Sequence, residues 1–181
     1  PIDTSYYDNE KHTQADALSV IPFMDEMNYE GLSVSGLSED ITGLTIGGEF
    51  IGRFTARELE RGINMALLQN TPQYKQAMKI RQMNEERWLK ERKMREFYWV
   101  EYNLMRKTGM LWACDEAAVD TLRKYRPHDI FLQWNGDLWL QYMHKGIRED
   151  CVNEQQDLVD RIYEQNKPIP LQIEIKKFTD L

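Results

Sequence analysis

Along the first third of the chain the spacing of apolar residues changes once, at Thr55, from near-alternation to steps of three and four. Ahead of Thr55, the residues Ile41, Leu44, Ile46, Phe50, Ile51 and Phe54 fall on two β-favouring runs separated by Gly47-Gly48. Two glycines supply the positive φ angles of a two-residue turn, so this pattern predicts a hairpin. The alternation falters around Gly43 and Gly52, which predicts a bulge or a close backbone approach there. Behind Thr55 a helix is expected. Thr55 and Glu58 have capping-box spacing, in which the Thr hydroxyl accepts an orphan helix N–H and the Glu carboxylate accepts the cap's own N–H. Leu59, Ile63, Ala66 and Leu67 then give that helix one apolar face.

Thr71-Pro72 opens the next helix, because proline is tolerated where no intrahelical donor is needed. Neither Pro nor Gly follows until Gly109, which permits a helix of about 35 residues, roughly 50 Å long. Its inward stripe is traced through Ala77, Ile80, Asn84, Trp88, Glu91, Arg95, Tyr98, Tyr102 and Met105. The middle of that stripe is polar. Asn84, Arg87, Glu91 and Arg95, with Asn64 from the preceding turn, either line a solvated polar groove or satisfy one another as a structural ladder, since buried charges are costly unless paired. The ladder is the preferred reading. Asp115 caps a short helix through Arg123, and Pro127 ends it. Asn135-Gly136-Asp137 is read as a turn dividing Ile130 to Met143 into two short helices. The rings of Trp134, Trp139 and Tyr142 there offer an aromatic contact surface that could stack on a sugar, although packing is the commoner fate of such residues. A last helix spans Glu149 to Gln165, its apolar side formed by Val152, Leu158, Val159, Ile162 and Tyr163.

Pro168 and Pro170 force an extended chain, and Leu171, Ile173 and Ile175 then alternate with polar residues as in a half-buried strand. Pairing with Leu32 to Val34 or with Phe50 to Phe54 is expected. The predicted fold is therefore α+β, a small antiparallel sheet made of the hairpin and the C-terminal strand, with a long-helix region. Four segments follow: 1–30 extended, with Ile21-Pro22-Phe23 leading into the sheet and residues 1–14 polar and mobile; 31–70 hairpin and capped helix; 71–167 helical; and 168–181 the returning strand.

Composition narrows the function. The net charge of −7 argues against general nucleic-acid binding. Eight basic residues between Lys75 and Arg95, with Trp88 among them, make a local exception, but Glu85, Glu86 and Glu91 are interleaved and favour a solvated, ion-paired face. No apolar run approaches the ~20 residues of a membrane span, and there is no signal-peptide pattern. Cys114 and Cys151 are too few for a disulfide scaffold and read best as separate thiols, though an oxidising compartment would let them pair. His12, His128 and His144 are far apart and lack metal-ligand spacing. No cofactor is expected.

The blocks Gly52-Arg53-Phe54-Thr55-Ala56, Glu58-Leu59, Gly62-Ile63-Asn64-Met65-Ala66, Asn70-Thr71-Pro72 and Gln76-Ala77, followed by Asn84 to Arg95 and Asn166 to Ile175, resemble the C-terminal portion of secreted bacterial SGNH (GDSL-type) hydrolases. The resemblance covers residues 18 to 175. It implies a periplasmic or secreted lipase or acylhydrolase parent whose G-D-S serine block is not in this chain. Asp8 and His12 are the only early Asp-His pair, at D-x-x-x-H spacing, with no such serine before them. A serine hydrolase needs a nucleophile, a base and donors for the oxyanion. The expectation is thus a non-catalytic accessory module of a longer, truncated enzyme, packing on or shaping the entrance of the hydrolase domain, its expected partner. A homo-oligomer formed through the patch left by that partner is a further option. The alternative is a free-standing module that binds a protein or a glycan.

Overall fold

The computed structural model describes residue 18, residues 20–38 and residues 41–177. The chain divides into two compact units, Pro1–Ile80 with Asn166–Leu181, and Arg81–Gln165. The fold is α+β and mostly helical, with small antiparallel sheets. The reading of residues 1–14, including Asp8 and His12, lies outside the described residues.

In the first unit, helix α1 (Phe23–Glu26) stands where Ile21-Pro22-Phe23 had suggested an extended lead-in, because Pro22 places its fixed φ just ahead of the first helical turn. Strand β1 (Gly31–Leu32) pairs with β4 (Ile63–Asn64) in a separate two-stranded ladder. The main sheet has three strands. Strands β2 (Thr42–Ile46) and β3 (Glu49–Phe54) form the expected hairpin, with Gly47 and Gly48 at φ 58° and 83°. The register shifts between Leu44, opposite Gly52, and Thr45, opposite Phe50, leaving Ile51 as the bulged residue. Its carbonyl accepts a 2.8 Å bond from Asn70 Nδ2, so the bulge leaves no orphan acceptor.

The C-terminal strand β5 (Ile173–Lys177) pairs neither with Leu32 to Val34 nor with Phe50 to Phe54; it lies antiparallel on β2, which becomes the central strand. The physical reason is burial. Thr42, Gly43, Leu44 and Ile46 are all buried, as suits a strand paired along both edges, whereas only Ile51 of β3 is buried, as suits an edge strand. Leu44, Ile46, Ile51 and Met65 form the core of this unit, with Leu171 and Ile175 of the returning chain packed on it.

Helix α2 (Ala56–Arg61) starts with the complete capping box: Glu58 N donates to Thr55 Oγ1 at 3.2 Å and Thr55 N donates to Glu58 Oε2 at 2.7 Å. The bond from the Thr55 backbone holds the Glu58 carboxyl below its ordinary value. Helix α3 (Pro72–Val100) is capped by Thr71, whose Oγ1 accepts from Tyr74 N at 3.2 Å.

In the second unit α3 runs into a single π-helical turn, Glu101–Met105, and the chain leaves helical geometry at Gly109, φ 75°. Helix α4 (Glu116–Tyr125) is capped by Asp115, as its spacing predicts. Helix α5 (Ile130–Tyr142) is continuous through Asn135-Gly136-Asp137, where a turn had been expected. Gly136 serves packing here. A Cβ on it would lie 3.3 Å from Arg126 Nε, and its absence lets the guanidinium reach Asp137 in a two-pronged pair at 2.6 Å and the Gln133 carbonyl at 3.1 Å. Helix α6 (Lys145–Gln165) completes the unit. The core comprises Met94, Phe97, Val100, Leu104 and Met105 with Ala118, Leu122, Leu132, Trp139, Tyr142 and Cys151. Cys114 is exposed, and both thiols are free.

The inward stripe of α3 and the π turn is thus Met94, Phe97, Val100 and Leu104; of the stripe traced from sequence Met105 is buried, but Trp88, Tyr98 and Tyr102 are all exposed. Following aromatic rings led the period across polar positions. The true stripe is apolar throughout except at Glu101.

Replacing Thr55 by Ala should lower stability by about 1 kcal/mol through loss of the cap, read from urea unfolding. The Lys90 Nζ–Glu154 Oε2 pair joins α3 to α6 at 2.6 Å; its hydrogen bond raises the Lys90 pKa and lowers that of Glu154. A depressed carboxyl contributes stability that is full above its unfolded pKa and lost as pH falls through the folded one. The stability gap between wild type and Glu154→Gln should therefore be present at neutral pH and close as pH falls through the depressed Glu154 value, as measured by thermal melts across that range.

Candidate functional site

Glu101 is the buried charged residue around which the second unit's most unusual geometry is arranged. It is 1% exposed and is the first residue of the π-helical turn. Its Oε1 accepts the indole N–H of Trp139 at 2.8 Å, and its Oε2 accepts the backbone N–H of Trp112 at 3.0 Å. Trp112 is the residue other than glycine with positive φ among those described, at 65°. For a bulky side chain that region costs on the order of 1–3 kcal/mol. The turn that delivers it is tied back to the helix: Met110 N donates to Met105 O at 2.7 Å, and Thr108 Oγ1 donates to Leu104 O at 3.0 Å.

Trp112 remains 44% exposed. Tyr98 and Tyr102 stand nearly perpendicular to it, with centroids at 6.1 and 6.0 Å. Arg148 lies over both Phe97, 4.7 Å from the centroid, and Trp112, 5.9 Å, while its Nη1 donates to the carbonyls of Tyr142 and Met143 at 2.8 and 2.6 Å. Tyr98, Trp112 and Arg148, with Lys145, Glu149, Val152 and Asn153, line an open cleft of about 450 Å³. It can hold a flat ring against an aromatic wall.

The residues singled out from sequence fall elsewhere. Asn84, Arg87, Glu91 and Arg95 form a bonded row on α3: Arg87 Nε donates to Asn84 Oδ1 at 3.1 Å, Arg87 Nη1 to Glu91 Oε2 at 3.0 Å, and Arg95 Nη1 to Glu91 Oε1 at 3.4 Å. The basic residues of the same stretch are interleaved with acids, as in Arg92–Glu96 and Lys90–Glu154. Asn64 belongs to the first unit and is not part of that row. Its Oδ1 accepts from Glu30 N and Ala66 N, both at 3.0 Å, and its Nδ2 donates to Met24 O and Asn28 O at 2.8 and 3.1 Å. All four hydrogen-bonding capacities are used in holding loops together.

Of the three expected contact-surface rings, Trp139 is 0% exposed and Tyr142 is buried; only Trp134, at 66%, faces solvent. It meets Phe131 edge-on at 5.6 Å, and Phe131 meets Trp99 at 5.2 Å. Reading α5 as two helices had hidden which ring lay inward; on one continuous helix Leu132, Gly136, Trp139 and Tyr142 share the buried face. Trp112 and Glu101 were not singled out. The signal that could have found Glu101 is a carboxylate falling on the apolar period of Met94, Phe97 and Leu104.

Among the described residues, no group of three or more His, Cys, Asp or Glu could hold a metal ion, and no helix is long and apolar enough to cross a membrane. Residues 78–167 match the family model described as the diltiazem deacetylase C-terminal helical domain. The solved structure of BT4096, a gut microbial diltiazem-metabolizing enzyme, is similar to the chain at 36% identity and a TM-score of 0.87, over 98% of this chain and 40% of that one. No curated protein matches the chain. These findings correct the SGNH (GDSL-type) resemblance: the helical region matches the diltiazem deacetylase C-terminal helical domain instead, and the lipase and acylhydrolase expectations drawn from the blocks around Thr55 and Asn64 do not hold. Those blocks mark a cap and a loop tie. The chain spans two fifths of the length of the solved enzyme.

Glu101→Gln should cost about 1–3 kcal/mol, because an amide presents one acceptor to two donors and leaves an N–H unpaired. Urea unfolding measures the loss, and the loss should shrink when Trp139→Phe has already removed the buried indole donor.

Proposed function

We propose that this chain is a non-catalytic accessory module of an enzyme related to the diltiazem-metabolizing one, and that it packs on the catalytic part of that enzyme or shapes the entrance to it. The observation that carries this reading is the 36% identity over 98% of the chain to two fifths of BT4096, together with the match of residues 78–167 to a domain described as C-terminal and helical. Local chemistry agrees with a supporting role. Glu101, the buried carboxylate of the second unit, is occupied by two structural donors, and Asn64 is committed to four backbone groups. Both are engaged in structural hydrogen bonds. On this reading deacetylation belongs to the remainder of such an enzyme, and this module contributes fixed surface to it.

A chimera tests the reading. Replacing the corresponding two fifths of BT4096 by this chain should give a folded protein that still turns over diltiazem, followed by chromatography of substrate and product. The 181-residue chain alone should give no product above buffer. A folded but inactive chimera, or turnover by the chain alone, would overturn the proposal.

A further inference from the structure

We propose that the cleft between Trp112 and Val152 is a binding site for a neutral, planar aromatic small molecule. Three local costs converge on presenting one ring. Glu101 is a buried carboxylate, Trp112 holds a left-handed backbone that its side chain disfavours, and the helix that carries Glu101 is wound into a π turn. Turns of this kind and strained residues cluster at functional sites. Here Glu101, the first residue of the π turn, holds the Trp112 backbone while the Trp112 side chain faces solvent.

The chemistry of the walls selects the ligand. In the cleft lining Tyr98 stands edge-on to Trp112, so the two rings make a corner into which another ring fits by offset stacking or edge contact. Val152, exposed on α6, supplies an apolar side to the same cleft. The charges at the rim are already partnered: Lys145 Nζ lies 3.3 Å from Glu149 Oε1, and Arg148 is bonded to two carbonyls and lies over Phe97 and Trp112. The Lys145–Glu149 pair neutralises itself and the Arg148 guanidinium is engaged by carbonyls and ring faces, so ring contact rather than charge pairing is what the cleft leaves to a ligand. Asn153 lies in the lining and offers one amide to orient a hydroxyl or carbonyl substituent. A cavity of about 450 Å³ accommodates two or three fused rings, within the size range of small-molecule sites. The site stands apart from the accessory-module reading, and the behaviour of the chimera decides nothing about it.

Calorimetric titration of the 181-residue chain with 2-naphthol tests the proposal, with methyl α-D-glucopyranoside as the non-aromatic comparison. Saturable one-to-one binding of 2-naphthol is expected, changing less than about twofold between ~50 and ~500 mM NaCl because no charge is being paired. Trp112→Gly removes the ring and suits the left-handed backbone; it should stay folded and bind about tenfold or more weakly, the scale of a lost stacking partner. Trp134→Ala, away from the cleft lining, should bind as wild type does. Should Trp112→Gly fail to fold, Val152→Asp at an exposed helical position takes its place, with the same loss expected. The proposal is overturned by unsaturable binding of 2-naphthol, by saturation with the glucoside instead, by unchanged affinity in the folded cleft variant, or by an equal loss in Trp134→Ala.

Discussion

The second unit depends on one carboxylate held out of water. Burying Glu101 would be prohibitive if its oxygens were left unpaired, and both are paired, one with the Trp139 indole of α5 and one with the Trp112 amide of the loop after α3. A single side chain therefore joins a helix, its neighbouring helix and the connecting loop. The consequence reaches further than the two bonds. The indole that serves Glu101 is the largest fully buried side chain of the unit, so the apolar core and the polar tie are set by the same residue and neither can rearrange alone.

Local signals in the chain were read well where they rest on backbone chemistry. Gly47-Gly48 turns, Thr55 and Asp115 cap, Thr71-Pro72 opens a long helix, and Gly109 ends it, because each of these choices is made by the conformational range of one or two residues. What depended on tertiary placement was less legible. Gly136 looks like a turn residue until Arg126 is known to need the space above it. The partner of β5 could not be chosen by alternation alone, since both candidate partners have apolar faces; the continuous burial of β2 decides it. The stripe of α3 was misplaced because Tyr98, Trp88 and Tyr102 are large and regularly spaced, while the residues that do pack, Met94, Phe97 and Leu104, are interrupted by a carboxylate whose partners lie far away in sequence.

The same distinction explains how blocks around Thr55 and Asn64 pointed to the wrong family. A capping box and an asparagine that ties loops are solutions to general problems of helix starts and backbone satisfaction. They carry little information about catalysis. The helical region, with its interleaved acids and bases and its buried Trp139, is the part that the diltiazem deacetylase C-terminal domain model matches, and it is there that the unusual backbone of Trp112 is found.

The order of strands in the main sheet has a consequence for how the chain is made. Strand β2 is central, yet its second neighbour, β5, is separated from it by the entire helical region. On a ribosome the hairpin emerges before β5, with the outer edge of β2, Thr42–Ile46, unpaired while the helices of the second unit are still being added. Long-range pairing of this kind is slow because loop closure precedes its reward. Until residues 173–177 arrive, an open edge of this composition is a template for other chains. The charged residues Glu174, Lys176 and Lys177 travel with the strand that closes it, so protection against misassociation arrives only with that strand.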